Sequence, residues 1–522
     1  MKPQAALLWL LVVVVATFSG SCSSGFGGVR ASHRLVVEID PAVNAGSLEA
    51  PLDLAVDTPI PFRVTIRALL PDGTQDASFN RFVRISSKPG AVEPLVGPGT
   101  DGRNVALTGG ESATVEVRIA NAYGRTFIVA DDLGYIPADP LRDPPPACSN
   151  GIDDDGDGKV DYPADEGCAF ANDDAEEGGS YAEGASRPIF FKLPRIADVR
   201  GLRCDAKGCS GNGRTPYPKE QILLDTGYRD DPNLPPFVHN TVVVRISSDG
   251  FYATDLDDKR GGFNSIFAFN FNAPPRMRVC DRLKTYGGTA NEFFGFTQMS
   301  YPTWTLEEWD PSRRLCMVPE PELLSPGVII DTSNLLRLSG NLVRVQTLPD
   351  RSSIAKVTPK FGPGDAPRGA GGLFAPTEDA TNCDLDKNGR IEFVAGNPEN
   401  DCAQACSNDP ECTEWSNYAA RSTFRITVTD SNGQSKAIQA DATASASFDP
   451  VAMKGKEIRA FSGTLHYFSG GSQFTIEARC KDDIIIDLAS APFPSDTRTD
   501  LKQPPPPLAC VFPRTFLENN PQ

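Results

Sequence analysis

His239-Asn-Thr-Val-Val-Val-Arg-Ile246, Ser247-Ser-Asp-Gly250 and Phe251-Tyr-Ala-Thr-Asp255 decide the fold class. A β-branched run is followed by an Asp-Gly turn and then by an aromatic, β-branched run. That order predicts a strand, a tight turn and a second strand. More short runs follow at Asn264–Asn270, Arg276–Leu283 and Gly288–Met299, all rich in Phe, Val, Thr and Ile. Upstream, Leu35, Val37 and Ile39 alternate with polar partners, as do Phe62, Val64 and Ile66, and Val115, Val117 and Ile119. Phe82 with Arg84 and the run Thr126–Ala130 add strands, while Asp72-Gly73 and Gly109-Gly110 add turns. Period-two alternation buries one strand face. With 46 Gly, 45 Pro and only 5 Met in 522 residues, the chain reads as all-β. Its length suits roughly three domains.

Three resemblances organise these runs. Residues 32–140 resemble the immunoglobulin-like sandwiches of bacterial surface proteins, without a cysteine pair inside them. Residues 186–325 resemble the OB-fold-like domains attached to secreted bacterial nucleases and phosphoesterases. The match is carried by Gly250, Phe251, Tyr252 and Asp255, by Val279, Asp281 and Leu283, and by Gly288, Glu292, Phe293, Gly295, Thr297 and Gln298. Cys280 stands where that family has Gly. The same order recurs within 326–482: Tyr418–Thr429, Ser431-Asn-Gly433, Ile438–Ala446, Met453–Arg459 and Ser462–Gln473. Gly288-Thr289 then matches Gly463-Thr464, and Gln298 matches Gln473. A second OB-like barrel with an insertion at 383–412 is therefore expected, followed by a Pro-rich, disulfide-tied tail at 483–522.

An acidic segment, 141–185, contains Cys148-Ser-Asn-Gly-Ile-Asp-Asp-Asp-Gly-Asp-Gly-Lys-Val-Asp161 and closes at Cys168. Asp153, Asp155 and Asp157 alternate so that three carboxylates converge on one hard cation. Gly158 permits the turn, Val160 is expected to tuck inward, and Asp161 supplies a later ligand directly or through water. The loop departs from an EF-hand at Ala164, where a bidentate Glu belongs; Asp165 or Glu166 is available instead. With no flanking helices, it is similar to the calcium loops of thrombospondin type 3 repeats, in which disulfides replace helices. A second loop follows Cys383, with Asp384, Asp386, Asn388 and Glu392 at the same spacing and Ile391 as the plug. Calcium is the cofactor both loops imply. Cys383, Cys402, Cys406 and Cys412 read as disulfides rather than a zinc site in an oxidising compartment.

The N-terminus assigns that compartment. Lys2, the apolar run Ala5–Ala16 and the small residues beyond it form a secretory signal over 1–21. The apolar run is shorter than the ~20 residues of a spanning helix. Ser19-Gly-Ser-Cys22 resembles the lipobox of bacterial lipoproteins, with Ser19 where that family prefers Leu. Lipidation of Cys22, followed by a 22–31 linker, implies a membrane anchor at the outer membrane or cell surface. Removing Cys22 leaves an even number of the 13 cysteines.

The formal charge of −18 disfavours nucleic acid and anionic membrane faces. Only His33, His239 and His466 occur, none with a second His or Cys at metal-ligand spacing. No catalytic constellation emerges. A Ser-His-Asp site would need His239 or His466 as base, and both fall in strands. Alternate spacing would place half of the aromatics in this region, Phe251, Tyr252, Phe267, Phe269, Tyr301 and Trp304 among them, in the core; the surplus Phe293, Phe294 and Phe296 form the candidate binding surface. The expectation is a non-catalytic, calcium-stabilised surface lipoprotein that takes a glycan or protein partner. An accessory module for extracellular nucleic acid is the alternative.

Overall fold

The computed structural model describes residues 33–132 apart from 57, 145–165, 167, 168, 171, 176, 181–359, the pairs 367–368 and 373–374, 396, 398, and 423–511 apart from 446, 451 and 470–472. It is all-β, as the alternation predicts. No helix among the described residues is long and apolar enough to cross a membrane.

The first unit is a two-sided sandwich. One sheet contains β1 (Arg34–Ile39), β2 (Ile60–Leu69), β8 (Val115–Ala120) and β4 (Ala91–Val92). The other contains β3 (Phe82–Lys88), β5 (Thr100–Asp101), β6 (Asn104–Thr108) and β9 (Arg125–Asp132). β7 (Glu111–Ser112) pairs with both β6 and β2 and joins the sheets. Alternation fills the space between them: Phe62, Val64, Ile66 and Ala68 of β2 point inward, with Leu35, Val37, Val83, Ile85, Val117 and Ile119. The free edge of β9 is completed by β10 (Gly184–Ala185) and β11 (Ile189–Phe190). Ile189 and Phe191 join the same core. The boundary expected at 185/186 therefore has to move beyond 191. An open sheet edge presents unpaired N–H and C=O groups, and here a segment distant in sequence pairs them.

After α1 (Ile196–Val199) and the hairpin β12 (Arg203–Asp205) and β13 (Gly208–Ser210), β14 (Gln221–Leu223) flanks a closed ring. The ring comprises β15 (Thr241–Ser247), β16 (Gly250–Asp255), β17 (Ser265–Phe269), β18 (Arg282–Phe293) and β19 (Phe296–Glu307). β15 pairs with β16 and β16 with β17; β17 runs parallel to β19, and β18 closes onto both β19 and β15. Phe251, Ala253, Ile266, Ala268, Leu283, Tyr286 and Met299 fill it. At Gly250 a Cβ would lie 1.9 Å from the Ala268 carbonyl oxygen, so this crossing admits only glycine.

β20 (Glu322–Leu323), α2 (Pro326–Ile330) and α3 (Thr332–Leu338) lead to a second ring. Its first-strand role is shared by β21 (Leu342–Gln346), paired with β28 (Ala460–Phe468), and β22 (Ser353–Val357), paired with β25 (Thr423–Asp430). A short pair, β23 (Pro367–Arg368) and β24 (Leu373–Phe374), lies between them in sequence. β25 pairs with β26 (Ser435–Asp441), β26 runs parallel to β29 (Gln473–Glu477), and β29 pairs with β28. β27 (Glu457–Ile458) and β30 (Ile484–Ile485) add to β22 and β28. The pairing order repeats that of the first ring, but the repeat expected from sequence is shifted. β25 occupies the place of β16, not of the His239–Ile246 strand, and residues 342–357 supply the first strand. The 358–422 insertion separates them and conceals the relation.

Candidate functional site

The Cys148–Cys168 disulfide closes the first acidic loop, and the carboxylates inside organise its backbone. Asp153 accepts from the N–H groups of Gly156 (2.7 Å) and Gly158 (2.9 Å). Asp155 accepts from Asp157 N–H (2.9 Å), and Asp157 from Lys159 N–H (2.8 Å). Gly156 and Gly158 turn at φ 77° and 92°, in the left-handed region that glycine adopts freely. One oxygen from each of Asp153, Asp155 and Asp157 falls within 4.8 Å of the others. The Asp157 N–H holds the Asp155 carboxyl down, yet desolvation and the charges of Asp157, Asp165 and Asp153 outweigh it and push that carboxyl above its ordinary value.

The closing side of the loop is unsatisfied. Asp161 accepts from Gly151 N–H (2.8 Å) with one oxygen; its other oxygen is buried without a partner among the described residues. Asp165 is 2 % exposed, accepts from Gly167 N–H (2.6 Å) with one oxygen, and has a second, buried oxygen without a partner among the described residues. Burying a carboxylate oxygen without a donor is costly. The oxygen of Asp165 gathers with Cys168 and Glu176 and not with the triad, although its charge reaches Asp155; the triad by itself is the convergent oxygen set that fits a hard cation such as calcium. Of the two residues offered by the sequence in place of the bidentate Glu, Asp165 thus stands apart from the triad; Glu166 lies outside the described residues. Glu176, missed in the sequence, is buried and accepts from the N–H groups of Asp154 and Asp161 (3.1 Å), bracing both ends of the loop. Its long separation from Asp153 left no spacing signal. Val160 is 42 % exposed rather than tucked inward, because no flanking helices build a core around it.

Asp384, Asp386, Asn388, Ile391 and Glu392 of the second loop, Cys383, Cys402, Cys406 and Cys412 beside it, and Cys22 all lie outside the described residues. Elsewhere, disulfides join Cys204 to Cys209, Cys280 to Cys316 and Cys480 to Cys510.

The three candidate surface phenylalanines separate. Phe293 and Phe294 are 53 % and 54 % exposed at the β18–β19 turn. Phe294 and Gly295 both have positive φ (47° and 78°), the backbone of a two-residue hairpin turn that usually takes Asn-Gly. The Phe294 ring lies 4.9 Å from Phe468 of the second ring, and its carbonyl accepts from Ser469 N–H (2.8 Å). Phe296 is 1 % exposed and cannot belong to a binding surface as it stands; it packs on His466 (4.9 Å) between the rings. Tyr252 and Phe267 are likewise buried there, with Leu342 and Tyr467 against them. Arg245 of β15 reaches Glu477 and Thr464 of the second ring, and Arg479 donates to the Val244 carbonyl (3.2 Å). The outer face of β16 and β17 thus forms the junction of the two rings. A smaller exposed aromatic pair joins Tyr301, one of the aromatics the sequence offers for an outer face, to Phe271, which was missed; they lie 5.6 Å apart and are 68 % and 58 % exposed. Phe271 continues the Phe267, Phe269 alternation, which was its sequence signal.

His239 is buried, with Nε2 3.1 Å from Asp225 and Nδ1 3.7 Å from Asp255. Arg195 grips Asp255 with two hydrogen bonds of 2.7 Å. His466 lies 3.9 Å from Glu477 at the ring junction.

Compared with protein-family models, curated proteins and solved structures, the chain finds no match.

Proposed function

We propose that this chain is a calcium-stabilised, exported binding or structural protein, held at a cell surface through a lipidated Cys22. The observation that carries the calcium reading is the convergence of the Asp153, Asp155 and Asp157 carboxylates, one oxygen of each lying within 4.8 Å of the others inside the disulfide-closed loop. Four disulfides support folding in an oxidising compartment. In the immunoglobulin-like and OB-like reading, a sandwich and two rings, the rings locked to each other by Arg245 and Arg479, form a stiff display element. The exposed rings of Phe271, Tyr301, Phe293 and Phe294 offer a surface for a glycan or protein.

The ring order β15-β16-β17-β19-β18 favours OB-like modules, many of which bind nucleic acid or oligosaccharide on their second and third strands. Tyr252 and Phe267 on that face are already covered by the second ring, and the net charge is −18, so an accessory nucleic-acid role has less support.

The test is calorimetric titration of the refolded, signal-free chain with calcium, with melting in calcium and in chelator. Saturable heat and a raised melting temperature are expected. No heat and no shift would leave the acidic loops as solvated linkers and remove the basis of the reading.

A further inference from the structure

We infer that the cleft between the sandwich and the first ring is a binding site for a small carboxylate-bearing ligand. The cleft encloses about 990 Å³, within the range of small-molecule sites, and lies at a junction of units, where such sites concentrate. Its wall is apolar in part, through Leu48, Leu54, Phe190 and Leu193.

The polar groups are unevenly matched. Five of the nineteen lining residues are Lys or Arg, against 50 in 522 for the chain, and three are Asp. Each lining carboxylate is already engaged. Asp53 pairs with Lys192 (2.6 Å). Asp198 accepts from Arg260 and from the Arg195 N–H (2.9 Å). Asp225 lies beside His239 and accepts from Gly227 N–H (2.9 Å).

The donors are not all spent. Arg195 commits Nε and Nη2 to Asp255, which stands behind it and does not line the cleft; its Nη1 group has no partner among the described residues. Arg125 stacks 5.2 Å over Phe127 and has no carboxylate partner among the described residues. Burial pushes the Arg195 guanidinium down, but Asp255 and Asp258 hold it above its ordinary value, so it stays charged. A surplus of fixed N–H donors over free acceptors selects an anion, and a guanidinium fork matches a carboxylate. The apolar wall accommodates the body of an acidic sugar or of an aliphatic acid.

Calorimetry on the full chain tests this with trigalacturonate and decanoate, each against a neutral counterpart, maltotriose and decanol. One carboxylate is expected to bind one to one while its neutral counterpart does not; which one binds identifies a sugar or a lipid source. Arg125→Gln should weaken that binding about tenfold, the worth of one charge-assisted hydrogen bond. Leu48→Asp, at a rim position 78 % exposed and so harmless to folding, should weaken it by charge repulsion. Both variants should melt with the parent. The inference is overturned if neither carboxylate binds at millimolar concentration, if a neutral counterpart binds equally, or if both variants bind like the parent.

Discussion

Replacing Arg245 by Met should loosen the junction between the two rings, because it strands a carboxylate. The Arg245 and Glu477 side chains keep only 14 % and 22 % of their exposure. Burial alone pushes the Arg245 guanidinium down, but the Glu477 charge holds it above its ordinary value. Burial likewise pushes the Glu477 carboxyl up, while Arg245 and His466 draw it further down, so it ends below its ordinary 4.5. Removing one partner of a fully buried pair costs about 3–5 kcal/mol; the residual exposure here places Arg245→Met near ~3 kcal/mol. The double variant Arg245→Met, Glu477→Gln removes both charges and should cost ~1 kcal/mol, less than Arg245→Met alone, so the two substitutions should not add. Urea unfolding at pH 7 and fixed calcium measures all four corners of the cycle. If Arg245→Met lies within about 0.5 kcal/mol of the parent, or if the two substitutions add, the ion pair does not hold the rings and the argument fails. The sign with pH also follows. A depressed Glu477 contributes stability that is complete above its unfolded value and is lost as pH falls through its folded value. Asp441, raised by burial and by the Glu477 charge, acts in the opposite sense. The parent should therefore lose more stability on acidification than Glu477→Gln does.

Asp155→Asn should abolish most of the calcium-dependent rise in melting temperature while leaving the chelator-treated melting point near that of the parent, since the amide oxygen can still accept from the Asp157 N–H. At a calcium level of 100 Kd, that rise corresponds to about 2.7 kcal/mol. An unchanged calcium response would exclude Asp155 as a ligand. Phe251→Ala, which empties a fully buried position touching Tyr286 (5.7 Å) and Trp304 (5.3 Å), should cost about 3–5 kcal/mol in urea unfolding. A loss below about 1 kcal/mol would mean the first ring repacks freely.

Local patterns in the sequence were enough for the strands. Phe62, Val64 and Ile66 read as one buried face because a strand exposes alternate side chains to one side, whatever lies beyond it. The Asp153, Asp155, Asp157 triad was legible for the same reason: ligands two residues apart are brought together by the loop itself. Partners that meet from far along the chain were not legible. Glu176 braces a loop begun more than twenty residues earlier, β10 and β11 complete a sheet edge opened by β9, and residues 342–357 supply a strand whose neighbour starts at Thr423. Phe296 shows the limit most directly. Its type and spacing match those of Phe293 and Phe294, yet it is buried, because exposure depends on what packs above a residue. The second ring sits there, and no local pattern encodes a contact between surfaces some 170 residues apart, such as Phe296 with His466.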